Sequence, residues 1–254
     1  MTYTSPLEYY DHFDPDLAYT GKLSDVIVEL LAARYHDSIE HARTIALHPP
    51  RLIRAVIDYK IAHPEKPFLE RLVIDSIATA LDFYQSSPNA VKDLEMFLRR
   101  IHETGNNELL DAKIEQKSDS TTWKAINPTY SQETVERMKR DISQKDIVLI
   151  SLGHGSIAAG MDVFLRYIDQ TQSQDSLFYV SRFSRIKHGD NKPQLTPTEI
   201  AILKEASSRR SVVVFDEDVN SGETKRRALS YFQQEIGSRI NFKFNYAIAP
   251  DSFI

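Results

Sequence analysis

The stretch Val212-Val213-Val214-Phe215-Asp216-Glu217-Asp218-Val219-Asn220-Ser221-Gly222-Glu223-Thr224 runs from apolar residues through acids and small residues into a helix-forming segment. A loop of this kind exposes backbone N–H groups at a helix N-terminus, where unpaired donors and the helix dipole favour a phosphate monoester. Ser221 and Thr224 add hydroxyls, and Gly222 allows close backbone approach. At the predicted strand end, Asp216 and Glu217 offer carboxylates that accept hydrogen bonds from two vicinal sugar hydroxyls and stabilise a neighbouring cationic sugar. The types and spacing therefore point to a phosphate subsite beside a ribose subsite. A strand-turn-helix junction with merely capping and solvated acids is the plainer reading of the same residues.

The pattern of four apolar residues, two acids, two variable positions, a small residue and Ser-Gly-x-Thr resembles the phosphoribosyl-pyrophosphate motif of type I phosphoribosyltransferases. The resemblance implies that Asp216 and Glu217 hold the ribose hydroxyls. It also implies that the segment Val219, Asn220, Ser221, Gly222, Glu223 and Thr224 cradles the 5-phosphate. Ser221 stands where threonine is commoner, and Asp218 adds an acid where an apolar residue is usual.

The same family places a pyrophosphate-binding turn after its first core strand, and Gly153-His154-Gly155 follows the apolar run ending at Leu152. Two glycines around one residue suit a tight turn that offers N–H groups to an anion. His154 occupies a turn in which many relatives carry lysine or arginine. Between the second and third predicted strands lies the segment Ser184 to Leu195, interrupted by Gly189 and Pro193, with Arg182 just before it and Arg185, Lys187 and His188 within it. The resemblance implies a mobile loop there that closes over the leaving pyrophosphate, giving Arg185, Lys187 and His188 a catalytic role. Without the family, it is a basic surface loop. The resemblance further implies substrate-bound Mg²⁺, release of pyrophosphate, a small-molecule and nitrogenous acceptor, and a place in nucleotide metabolism.

These residues need strands to carry them. Asp146 to Leu152, Leu177 to Phe183 and Ser211 to Phe215 are short runs rich in β-branched or aromatic residues, and Asn241 to Ile248 adds a last one. Ile157 to Ile168 and Thr196 to Ser208 show helical spacing between them, the second with Thr196, Pro197 and Glu199 set for a capping box. A further helix should follow Gly222. This alternation predicts an α/β domain over 131–254, a mostly parallel sheet with helices on both faces, whose ligands bind beyond the carboxyl ends of the strands.

Residues 1–130 follow a different pattern. Only Gly21 and Gly105 of the eight glycines precede residue 150, and apolar residues from Ser24 to Thr104 recur at helical spacing. About four to five helices are expected there by usual helix lengths, broken at Pro49-Pro50, Pro64, Pro67 and Pro88, with Asp111 to Ser131 as a connector and a short helix around Gln132 to Ile142. The pair His36-Asp37 suggests a metal-dependent phosphohydrolase, but His12, His41 and Asp58 supply no matching spacing, and no metal ligand is assigned.

A formal net charge of -5 and no cysteine give no reason to expect nucleic acid, disulfides or thiolate chemistry. The polar, acidic N-terminal stretch and the lack of a long apolar run predict a soluble, cytoplasmic chain with no membrane partner. A homo-oligomer or protein partner would use the helical half. Three functions remain: a phosphoribosyltransferase, a non-catalytic sensor of phosphoribosyl pyrophosphate or a nucleotide that binds a partner through its helices, and a helical scaffold with a degenerate α/β domain. Tyr246, Phe253 and the N-terminal aromatics could stack on an acceptor base.

Overall fold

The computed structural model describes residues 3–33, 38–184, 189–219, 222–237 and 240–247. Two compact units divide the chain, one of Thr4–Trp123 and one that joins Tyr3 to the chain from Lys124 onward. Among the described residues no helix is long and apolar enough to cross a membrane. His36 and Asp37 lie outside the described residues.

In the first unit, a two-stranded antiparallel sheet pairs β1 (Tyr19–Lys22) with β2 (Lys113–Gln116), so that part of the expected connector is a strand. Four helices follow β1: α1 (Leu23–Ala33), α2 (Ile39–Ala62), α3 (Leu69–Tyr84) and α4 (Ala90–Glu103). Their apolar stripes, including Leu30, Ile53, Val56, Leu72, Ile77 and Phe97, form the core.

Pro49-Pro50 does not break this unit where the pattern suggested, because both prolines lie inside the continuous helix α2. Proline at 50 has no N–H to give the carbonyl of Ala46, four residues back. The Tyr84 hydroxyl of α3 donates to that carbonyl at 2.6 Å in the buried core, so tertiary structure supplies the missing bond. A Tyr84→Phe chain should therefore lose about 1–2 kcal/mol of stability, the cost of an orphaned buried carbonyl. Denaturant unfolding measures it, and an unchanged midpoint would show that the carbonyl finds another donor.

Two polar clusters join these helices. His48 of α2 is bonded on both ring nitrogens, to Glu29 Oε2 of α1 at 2.5 Å through Nε2 and to Arg51 at 3.1 Å through Nδ1. Arg51 also donates to Gln116 Oε1 and the Leu17 carbonyl, and its guanidinium lies 4.2 Å from the Tyr19 ring centre. Asp82 of α3 faces Asp93 of α4, and burial, followed by the hydrogen bond and like charge of Asp93, pushes Asp82 up to about 6. A carboxyl held above its ordinary value contributes stability that is full below about 3.8 and is lost as pH rises through about 6. Asp82→Asn should thus stabilise the unit at pH 7 but not at pH 4, by up to about 1 kcal/mol after solvent screening. Melting at the two pH values tests the sign.

The second unit is the α/β part. After α5 (Ser120–Ala125) and α6 (Pro128–Asp141), a four-stranded sheet contains β3 (Ile147–Leu152), β4 (Leu177–Ser181), β5 (Ser211–Val219) and β6 (Ile240–Ala247). The order is β4-β3-β5-β6, and every pair is parallel. Helices α7 (Ser156–Thr171), α8 (Pro197–Ser207) and α9 (Glu223–Ile236) follow β3, β4 and β5. β3 is buried along its whole length, as a central parallel strand requires. Gly160 of α7 lies against Ser151 and Phe215 on one face of the sheet. On the other, the Tyr179 hydroxyl of β4 donates to Glu199 of α8 at 2.6 Å, the same carboxylate that closes the expected capping box with Thr196. Asn245 of β6 donates to the Ala125 carbonyl and to Ser131, which places the break between the units a little before residue 130.

Candidate functional site

The connections from β3 run to β4 on one side and, after it, to β5 on the other, so the sheet has a topological switch point between β3 and β5. A crevice opens outside the carboxyl ends of the strands at such a point, because the two connections leave in opposite directions. The register from Ile147↔Ser211 to Ser151↔Phe215 brings the ends of these two strands side by side. The turn of residues 153–155 leaves β3 there, and Asp216 and Glu217 continue β5 beyond its last pair with β3.

The turn is held from several sides. Gly153 adopts φ +70°, and its N–H donates to the Ser181 carbonyl at the end of β4 at 2.9 Å. Ser156 Oγ donates to the Leu152 carbonyl, while Ser151 Oγ donates to the Ser156 carbonyl at 2.9 Å. These two serines, unassigned by the sequence reading, lock the strand-to-helix corner; Ser151 inside an otherwise apolar run was the available signal. Gly155 is the N-cap of α7, with no side-chain cap and no acid in the first turn. His154 lies between the glycines and is half-buried.

The acids differ from the expected arrangement. β5 runs to Val219 and pairs with β6 as far as Val219↔Ala247, so Asp216 and Glu217 lie inside the strand rather than at its end. Successive strand residues point to opposite faces, which separates the two carboxylates. Asp216 Oδ1 accepts the Glu217 N–H at 2.9 Å, beyond the last β3 partner. Glu217 reaches across to the turn: a Cβ on Gly155 would fall inside its carboxylate. The acid and the glycine turn singled out separately in the sequence are thus in contact, Glu217 against Gly155.

Past β5, Asn220 and Ser221 lie outside the described residues. Gly222 is the N-cap of α9 at φ 69°, ψ 4°, the left-handed region, with no side-chain cap. Glu223 pairs with Arg227 one turn on, at 2.9 Å, and Thr224 is half-buried in the first turn. Lys225, Arg226 and Arg227 follow directly, a run of cations just beyond the motif. Lys225 Nζ stands 5.7 Å from the Phe242 ring centre, which holds it beside β6.

Of the basic loop, Arg185, Lys187 and His188 lie outside the described residues. Arg182 and Asp190 form a latch at its base. The guanidinium donates to both Asp190 oxygens at 3.3 and 3.1 Å, and the Ser184 N–H donates to Asp190 at 3.0 Å. Asp190 is 5% exposed, so its pairing with Arg182 is a charge-assisted bond largely out of water. Tyr246 continues β6 opposite Asp218, and Phe253 lies outside the described residues.

Compared with known protein families, curated proteins and solved structures, the chain matches none.

Proposed function

We propose that the α/β unit binds phosphoribosyl pyrophosphate at the carboxyl edge of β3 and β5 and transfers its phosphoribosyl group to a small nitrogenous acceptor, with release of pyrophosphate. The observation that carries this reading is the contact of Glu217 with Gly155 at the switch point, which puts a carboxylate for sugar hydroxyls against a glycine turn suited to an anion. The N-terminus of α9 behind Gly222 supplies donors for the 5-phosphate. Sugar, phosphate and pyrophosphate are then served by two neighbouring strand ends, those of β3 and β5, as a doubly wound sheet favours.

Among the described residues no three His, Asp or Glu side chains converge into a metal-holding group. Glu217, the carboxylate that lies against the glycine turn, suits a hard cation such as Mg²⁺, which would be held mainly by pyrophosphate oxygens and water. When bound, it would neutralise the leaving pyrophosphate. The protein's part is orientation and charge placement around the sugar carbon.

Calorimetric titration of phosphoribosyl pyrophosphate with and without Mg²⁺ tests the ligand. Pyrophosphate release with a panel of purines, pyrimidines and pyridine carboxylates tests the reaction. Asp216→Asn with Glu217→Gln should leave the melting temperature within a few degrees and weaken phosphoribosyl-pyrophosphate binding at least about tenfold, since amides turn acceptor capacity into donors. Unchanged affinity in the folded variant would remove both acids from the ribose role. Binding without release, for every acceptor, would assign the unit to sensing instead of transfer.

A further inference from the structure

We propose that Glu217 is a specificity gate, whose carboxylate rests on Gly155 and turns away free phosphate and pyrophosphate, yielding only to a ligand whose sugar hydroxyls give it a new partner. The inference rests on the phosphoribosyl-pyrophosphate reading and adds to it how the edge selects among anions.

Three observations carry it. Gly155 has φ -68° and ψ -30°, ordinary helical values open to any residue, so its backbone does not demand glycine. What a side chain there would meet is the Glu217 carboxylate. Second, α7 has no side-chain N-cap and no acid in its first turn, so the negative charge beside its N-terminus comes from Glu217, 62 residues later (217 − 155). A carboxylate beside a helix N-terminus stands in chemically for a phosphate oxygen, because the dipole there favours either negative charge. Third, Ser181, whose carbonyl accepts the Gly153 N–H, is 1% exposed and has a buried hydroxyl with no partner among the described residues. The strand end that holds the turn thus carries a buried hydroxyl without a partner among the described residues.

A free anion entering this turn must either displace Glu217 or lie against it, and like charges a few ångströms apart repel strongly in a partly desolvated site. Phosphoribosyl pyrophosphate brings hydroxyls that donate to the displaced carboxylate, so the same movement that admits its pyrophosphate makes a new charge-assisted bond. Glu217 therefore couples the two subsites, and the selectivity is a difference of affinities created by repulsion of the wrong ligand.

The test is titration of the full chain and of Glu217→Gln and Glu217→Ala with inorganic pyrophosphate alone and with phosphoribosyl pyrophosphate. The glutamine keeps the shape and removes the charge, and the alanine empties the position. Both should bind pyrophosphate at least about tenfold more tightly than the parent while binding phosphoribosyl pyrophosphate less tightly, which inverts the ranking. Circular-dichroism melting confirms that each variant is folded. If pyrophosphate affinity is unchanged or falls in both folded variants, the gate is overturned, even where the parent binds phosphoribosyl pyrophosphate. If the parent binds no phosphoribosyl pyrophosphate but the variants gain pyrophosphate, the gating stands and the sugar reading fails.

Discussion

A Gly222→Val chain is expected to stay folded and to lose about a hundredfold or more in affinity for ribose 5-phosphate and phosphoribosyl pyrophosphate. Gly222 caps α9 at φ 69°, where a β-branched residue is strained by about 1–3 kcal/mol. The strain is relieved by moving the cap, and moving the cap turns the first N–H groups of α9 away from the proposed 5-phosphate. Losing two charge-assisted bonds of about 1.5 kcal/mol each corresponds to roughly a hundredfold in affinity. Gly222→Asn is the matched control, because asparagine tolerates the left-handed region better and should retain most of the binding. Titration with ribose 5-phosphate distinguishes them, and a valine variant that binds normally would place the phosphate at another strand end.

The second large effect lies in the helical unit. Arg51 can only donate, so its contact makes His48 Nδ1 an acceptor and leaves the ring proton on Nε2, facing Glu29. Burial, then the charge of Arg51, lowers His48 to about 4, against the opposing pull of Glu29. Unfolded chains therefore bind the proton first. Stability is full above about pH 6.5 and is lost as pH falls towards about 4, by an amount on the order of 3 kcal/mol. His48→Ala should cost about 3 kcal/mol at pH 7, because it leaves Arg51 and its buried neighbours without that partner, and should remove most of the pH dependence in this window. His48→Gln, which can accept from one side and donate to the other, should recover part of the loss. Urea unfolding from pH 4 to 7.5 measures both, and an alanine variant that keeps the acid sensitivity would assign it to other groups.

The four parallel strands were legible because each is a short β-branched run between helix signals, and Thr196-Pro197 with Glu199 marked its helix start within a residue. Strand ends were less legible: β5 runs through Asp216 to Val219, since pairing with β6 holds polar residues in extended form beyond the apolar run that ends at Phe215. That extension decides how the acids face, so their residue types could be read but their geometry could not. The contact between Glu217 and Gly155 depends on strand order, which no local pattern encodes. The pairing of Asp190 was not legible either, because its bonds to Arg182 and to the Ser184 N–H follow no residue pattern. In the helical unit, Pro49-Pro50 misled because the bond that rescues the helix comes from Tyr84, 34 residues later (84 − 50).

That rescue also decides how the longest helix can come apart. With no amide hydrogen at 49 or 50, two successive rungs of the α2 ladder are missing, and the turn around Ala46 depends on α3 rather than on the residues after it. The helix is one rod in shape and two segments in cooperativity. Native-state hydrogen exchange should find the amides of Arg51–Ala62 opening with one free energy and those before His48 with another, the earlier segment following α3. An exchange boundary in the middle of an unbroken helix is the dynamic signature of a carbonyl satisfied from outside its own element.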